Sequence, residues 1–125
     1  MTVKLLLIAL GGAVGAVSRF AIGRGLHHVL GDAFPYGTLA VNVLGCFLLG
    51  ALFGLRTHEF SQNVHEGITF GFLGALTTFS TFGFETVKYS KDVSWVVGAG
   101  NVAANVLLGL LAVKLGISLG EYLRS

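Results

Sequence analysis

Long apolar runs alternate with short polar connectors along this sequence. Four runs are long enough to cross a membrane, because a hydrocarbon core of about 30 Å takes roughly 20 mostly apolar helical residues. We predict spans at residues 5–22, 36–55, 67–87 and 93–115, the last with room to continue to Tyr122. The connectors are then 23–35, 56–66 and 88–92. This pattern predicts an all-α membrane protein with four transmembrane helices in a single domain, residues 1–125.

Composition supports this interpretation. The chain is 54% hydrophobic and only 11% charged, whereas a soluble domain is about 25% charged. Aromatic rings that favour the headgroup layer lie at or near the predicted span ends: Tyr36, Tyr89, Trp95 and Tyr122. The eight Lys and Arg are scattered, so we expect a lipid partner and no nucleic acid. The sequence contains no nucleophile–base pair or metal-ligand constellation, and we predict that the protein is not an enzyme.

The positive charges are nearly balanced between the two sides of the membrane. One side carries Lys4, Arg56 and Arg124, with Lys114 near a span end, and the other carries Arg24, Lys88 and Lys91. Since an excess of Lys and Arg on one side normally sets orientation, two interpretations stay open. Either a single residue decides the orientation, or the chain inserts in both directions and forms an antiparallel homodimer.

Glycine pairs spaced four apart favour close packing of helices. They are Gly11 and Gly15, Gly50 and Gly54, Gly67 and Gly71, and Gly116 and Gly120. Small residues at this spacing let helix backbones approach closely in lipid. Four short helices enclose little space, so we expect a second subunit to complete any pathway.

The third predicted span has an unusual centre between Gly74 and Thr81. Four hydroxyl residues, Thr77, Thr78, Ser80 and Thr81, fall within five positions. Such a segment can lose its helical structure at mid-membrane, and broken helices offer carbonyls to cations and N–H groups to anions. The alternative is a continuous helix that packs through its hydroxyls.

Other polar and aromatic residues within the spans are candidate pathway groups. Phe79 and Phe82 share a helix face, and their positive ring edges suit an anion, although packing would also explain them. Amides lie in the second span at Asn42 and in the fourth at Asn101 and Asn105. They could line a track of neutral donors or join helices. Arg19 either snorkels to the interface or faces a wet vestibule, and Glu85 is expected to reach the interface.

Three motifs carry a resemblance to a known family. They are G-G-x-x-G-x-x-x-R at residues 11–19, V-N-x-x-G at residues 41–45, and G-A-L-T-T-F-S-T-F at residues 74–82. With them, nearly the whole chain resembles the Fluc (CrcB-type) family of fluoride channels. The resemblance implies an antiparallel, dual-topology dimer of four-helix subunits in the bacterial plasma (inner) membrane. It also implies two fluoride pathways per dimer and a central sodium ion.

The resemblance also implies roles for individual residues. The sodium would be held by the backbone carbonyls of Gly74 and Thr77, and the fluoride pathway would include Arg19, Asn42, Phe79, Ser80, Thr81 and Phe82. The fourth helix departs from the family, because many relatives carry a Tyr and a Ser in the turns where this sequence has Asn101 and Asn105. These two amides are the predicted substitutes in the polar track.

The function predicted from these observations is passive export of fluoride from the cytoplasm to limit its toxicity. Neutral hydroxyls, amides and ring edges can replace the water around a small anion and still release it. The alternative is a proton-coupled exporter of the small multidrug type, which also has four helices and dual topology. That class needs a membrane-embedded Glu in the first helix, and no acidic residue lies between Lys4 and Arg24.

Overall fold

A computed structural model describes residues 1–55 and 60–125, and within these ranges all regular secondary structure is helical. Three long helices are continuous: α1 (Thr2–Leu30), α2 (Tyr36–Leu55) and α6 (Trp95–Arg124). The remaining span is segmented into α3 (Gln62–Glu66), a π-helical stretch (Gly67–Leu73), α4 (Gly74–Leu76) and α5 (Phe79–Asp92). Arg56, counted above in the charge balance, lies outside the described residues.

The four predicted spans are confirmed as four helices long and apolar enough to cross a membrane. All three connectors were predicted too long: α1 continues to Leu30 instead of ending at Ile22, α3 begins at Gln62 instead of at residue 67, and α5 continues to Asp92. The polar residues there stay helical because helix hydrogen bonds are made within the backbone whatever the side chain. The first helix ends at Gly31, whose positive φ of 82° suits glycine and whose N–H caps the His27 carbonyl at 2.9 Å.

Glycines bring α2 and α6 into direct backbone contact. A Cβ at Gly50 would collide with the Val113 carbonyl, and one at Gly116 would collide with the Phe47 carbonyl. Gly54 and Gly120 are equally enclosed. The glycine pairs on these two helices are therefore used inside one chain, where they allow the close approach that replaces the hydrophobic effect in lipid.

Glycines also bring the backbone of α1 into contact with the π-helical stretch. A Cβ at Gly11 would meet the Gly67 carbonyl, and one at Gly15 would meet the carbonyl of Phe72. A π-helix is rare and is usually a single turn at a functional site. Here it runs for seven residues and leads directly into α4.

An interruption separates α4 from α5. Thr77 (φ −86°, ψ 156°) and Thr78 (φ −150°, ψ 120°) are both extended. The most deeply buried apolar side chains, Val41, Leu73 and Leu76, form a small core beside it. The fold therefore surrounds the interruption with packed side chains on one side.

Candidate functional site

The interruption is held by the side chain of Asn42 on α2. Asn42 Oδ1 accepts a hydrogen bond from the Thr78 N–H at 2.8 Å, and its Nδ2 donates to the Thr78 carbonyl at 3.2 Å. The amide thus pairs with both the backbone N–H and the backbone carbonyl of Thr78, as a neighbouring strand would. In a continuous helix the Thr78 N–H would bond to the Gly74 carbonyl, so that carbonyl has lost its helical donor.

Thr78 also caps the start of α5. Its Oγ1 accepts from the Thr81 N–H at 3.2 Å, which is the usual role of a Thr at a helix N-cap. The same hydroxyl donates to Thr81 Oγ1 at 3.0 Å and lies 3.5 Å from Ser80 Oγ. Because a continuous helix would direct the Thr81 N–H to the Thr77 carbonyl, this carbonyl too has lost its helical donor.

The two phenylalanines of the motif lie side by side at the beginning of α5. The ring centroids of Phe79 and Phe82 are 5.6 Å apart, and the ring planes are inclined by 53°. The Phe79 ring is 83% exposed on the surface of the single chain. The prediction that both rings share one face is therefore confirmed, and that face is open.

Two pockets meet at the interruption, and Thr78 lines both. One, of about 390 Å³, is lined by both phenylalanines and by Asn42, Gly74, Thr77 and Asn105. Thr69 also lines this pocket, and its hydroxyl is buried without a hydrogen-bond partner among the described residues. The other pocket, of about 530 Å³, includes Arg19, Thr38 and Thr81. Most of the predicted site residues are thus brought to one locality, and Ser80 is exposed next to it.

The α6 amides lie at different depths in this arrangement. Asn105 borders the smaller pocket, whereas Asn101 is 0% exposed. Asn42 Nδ2 donates to Asn105 Oδ1 at 3.0 Å, and Asn101 Nδ2 donates to Thr86 Oγ1 at 2.9 Å. All three predicted amides therefore pair with other residues of the same chain and join three helices.

One polar contact beside the larger pocket was not predicted from the sequence. Thr38 Oγ1 on α2 donates to Glu85 Oε1 on α5, and both residues also line a smaller cavity with His27 and Tyr89. Glu85 thus contacts α2, a partner that its expected place at the interface did not suggest. The two residues are 47 positions apart, and no local pattern links them.

Within the described residues, four apolar helices, one of them interrupted by a polar segment between two pockets, define a multi-pass membrane protein. Residues 6–117 match the family model described as "CrcB-like protein, Camphor Resistance (CrcB)". The chain belongs to this family. The resemblance stated from the three sequence motifs is therefore confirmed.

Curated relatives from several bacteria match nearly the whole chain. A protein of Dehalococcoides mccartyi is 50% identical over 123 residues, which cover 97% of this chain and 95% of the relative. Those of Geobacter sulfurreducens and Syntrophotalea carbinolica are 47% identical over 115 residues and 45% identical over 121 residues, covering 90% and 95% of this chain and 93% and 98% of the relatives. Each of the three is named "Fluoride-specific ion channel FluC". The chain is thus a multi-pass bacterial membrane protein.

Proposed function

We propose that this protein is a fluoride-specific ion channel through which fluoride leaves the cytoplasm passively, so that fluoride toxicity is limited. The observation that carries the proposal is the start of α5, where two adjacent phenylalanine rings and two hydroxyl residues border the interruption. The choice of fluoride as the ion rests on the names of the relatives and on their high identity to this chain. The residues alone would suit an anion without distinguishing fluoride from chloride.

The chemistry of this segment suits a small anion that must both enter and leave. The hydroxyls of Ser80 and Thr81 can donate hydrogen bonds, and the ring edges of Phe79 and Phe82 carry partial positive charge. None of these groups has a full charge, so binding stays weak enough for release. Arg19, on the larger pocket, would raise the local concentration of anions before they reach the neutral segment.

The proposed active form is an antiparallel, dual-topology homodimer with the interruption at mid-membrane. Thr77 lies at the centre of the Gln62–Asp92 span by residue count. Non-helical backbone at such a depth is tolerated only where protein or water surrounds it. In one chain Gly74 and Phe79 are exposed next to this backbone, and a second copy would cover them.

A structural sodium ion at the dimer centre belongs to the same proposal. The break at Thr77 and Thr78 removes the helical donors from the carbonyls of residues 74–77. Among these, the N–H groups that would have bonded to Gly74 and Thr77 are instead bonded to Asn42 and to the Thr78 hydroxyl. A carbonyl without a donor is costly in hydrocarbon, and carbonyl oxygens are suitable ligands for a hard cation. Two such carbonyls from each copy would provide about four oxygen ligands on the symmetry axis.

Substitutions at the two sodium-ligand residues test the dimer centre. Within one chain, a Cβ at Gly74 would make only an ordinary 3.6 Å contact with the Thr69 carbonyl. Gly74→Val should therefore be tolerated by the subunit fold but should disrupt the dimer. Thr77→Ala should be mild, because the proposed ligand is the main chain. A Gly74→Val protein that stays dimeric by size exclusion with multi-angle light scattering would count against a subunit contact here.

The role of sodium is tested by exchange for a larger organic cation. We expect flux or dimer stability to fall as sodium is withdrawn and to return in a concentration-dependent way when it is added back. Full flux and stability in a preparation shown to be free of trace sodium would contradict the proposed ion.

Dual topology is tested with a C-terminal tag. The tag should be accessible in part of the population in intact cells and in the rest in inverted vesicles. Labelling from one side only would exclude the antiparallel dimer. Addition of two or three lysines to one side should bias insertion and lower activity until an oppositely biased copy is supplied.

The most direct test of the proposed function is fluoride efflux from liposomes, followed with a fluoride electrode. An uncoupled channel should release fluoride only when valinomycin lets potassium balance the charge. Release that instead requires a proton gradient would favour the alternative of a proton-coupled small multidrug-type exporter. Chloride-loaded liposomes provide the matched control, and they should release little.

A further inference from the structure

A chain of hydrogen bonds runs from the interruption through α6 and back to α5. Its first link is the donation from Asn42 Nδ2 to Asn105 Oδ1. Asn105 Nδ2 then donates to the carbonyl and to Oδ1 of Asn101, at 2.9 and 3.0 Å. Asn101 donates to Thr86 Oγ1 at 2.9 Å, and Thr86 donates to the Phe82 carbonyl at 2.7 Å.

This chain of hydrogen bonds is attached to the α5 segment at two points. It begins on Asn42, which is bonded to the backbone of Thr78 just before α5, and it ends on the backbone of Phe82 in the first turn. Phe79 lies between these two points. Every donor in the chain is aligned in the same direction, an arrangement in which hydrogen bonds polarise and strengthen one another.

The donors of the two amides next to the pocket are fully used. A primary amide has two N–H donors. Those of Asn42 go to the Thr78 carbonyl and to Asn105, and those of Asn105 both go to Asn101. An anion could take such a donor only by breaking a bond that is partly buried, and this would leave the former acceptor unsatisfied.

We propose that Asn101, Asn105 and Thr86 are positioning residues, which fix the helix interruption and the pair Phe79 and Phe82 without binding the permeating ion. The ion would then find its hydrogen bonds at the start of α5. Thr78 donates its proton to Thr81 Oγ1, so the hydroxyl proton of Thr81 has no acceptor among the described residues and is available to an anion. That these residues serve an ion pathway rests on the proposed function, whereas the hydrogen-bond chain itself does not.

Hydrogen exchange in the absence of fluoride separates positioning from ion binding. In Asn105→Leu the size of the side chain is kept, but the link between Asn42 and Asn101 is lost. We expect the backbone N–H groups of Thr78 and Thr81 to exchange about tenfold faster than in the wild type, the factor that corresponds to loss of one buried hydrogen bond. Ser118→Leu, on the exposed side of α6, is the matched control and should leave this exchange unchanged.

Hydrogen exchange is measured on the purified full-length protein without fluoride. Its result therefore does not depend on which ion the protein carries. Faster exchange at the start of α5 supports positioning even if the wild type proves to conduct no fluoride. Unchanged exchange overturns the proposal, and unchanged exchange with lost fluoride flux would show that Asn105 contacts the ion directly.

If Asn105→Leu fails to assemble, a second set of variants still tests the proposal. Asn101→Leu and Thr86→Val each remove one partner of the hydrogen bond between α6 and α5, and each should show fast exchange and low flux. If the two side chains act through this bond, the double variant should exchange no faster than the faster single variant. Additive effects in the double variant would show that the two residues act independently and would contradict the proposal.

Discussion

Two regions of the molecule, the contact between α2 and α6 and the interrupted third span, accommodate their main chain in lipid in opposite ways. In the first, glycines let two helices touch backbone to backbone, and both helices remain continuous along the contact. In the second, the main chain leaves the helix at Thr77 and Thr78, and side chains take over the lost bonds. The first region therefore joins two helices closely, whereas the second presents polar groups to the two pockets.

The two regions are linked through the same helices. Asn42 lies on α2 and Asn105 on α6, and together they reach the interruption from the face of the glycine-packed pair. A polar segment in a membrane protein has to be held in place from outside, since it has no helical hydrogen bonds of its own. The rigid pair is the natural support for the site.

The largest expected effect is on the glycine contact. Gly50→Val should destabilise the protein by about 3 kcal/mol or more, because the new side chain collides with the Val113 carbonyl and α6 has to move. Thermal unfolding followed by intrinsic fluorescence, with size exclusion, measures the loss. Gly25→Val is the control, since a Cβ there meets nothing within 4 Å. Equal stability of both variants would remove the distinction between the regions.

A smaller effect is expected at the interruption. Thr78→Val keeps the shape of the side chain but removes the cap on the Thr81 N–H, which should cost about 1 kcal/mol. Thr78→Ser should retain the cap and most of the stability. Denaturant unfolding of both variants checks the difference. If the Val variant is as stable as the Ser variant, the hydroxyl does not hold the start of α5.

The smallest effect is expected away from both regions, at the ion pair between Lys4 and Glu66. Their charged atoms are 3.2 Å apart, but the side chains are 28% and 20% exposed. Water and salt screen such pairs, so Glu66→Gln should shift the melting temperature only slightly, and less at high salt. Glu121→Gln, which changes an exposed carboxylate on α6, gives the comparison. A large shift that persists in high salt would mean that this pair is a main attachment of α1.

The sequence predicted the fold where the signal is local. Hydropathy and length were enough for four spans. The glycines and hydroxyls between Gly74 and Thr81 indicated where the third helix could be interrupted, but they left a continuous helix open, and the structure decides for the interruption. The end of α1 was misjudged because polar residues near Arg24 stop a hydropathy run without stopping a helix. The positive φ of Gly31 ends it instead.

The sequence could not predict how the polar side chains pair. Asn42 contacts Thr78 across 36 positions and Asn105 across 63. Such pairs depend on the rotation and register of separate helices, which a one-dimensional pattern does not contain. The same residues therefore supported either a track of donors or interhelical bonding until their partners were known.

The central claim is that the start of α5 forms the path of the ion, and substitution of its phenylalanines tests it most directly. Phe79→Ile and Phe82→Ile keep apolar bulk but remove the positive ring edge. Phe53→Ile is the control, on an exposed ring of α2 in the glycine-packed region. Fluoride efflux from liposomes should fall at least about tenfold in the first two, the equivalent of one lost aromatic interaction, with dimer size unchanged. It should stay at the wild-type rate in the third. Wild-type efflux in all three variants would contradict the account.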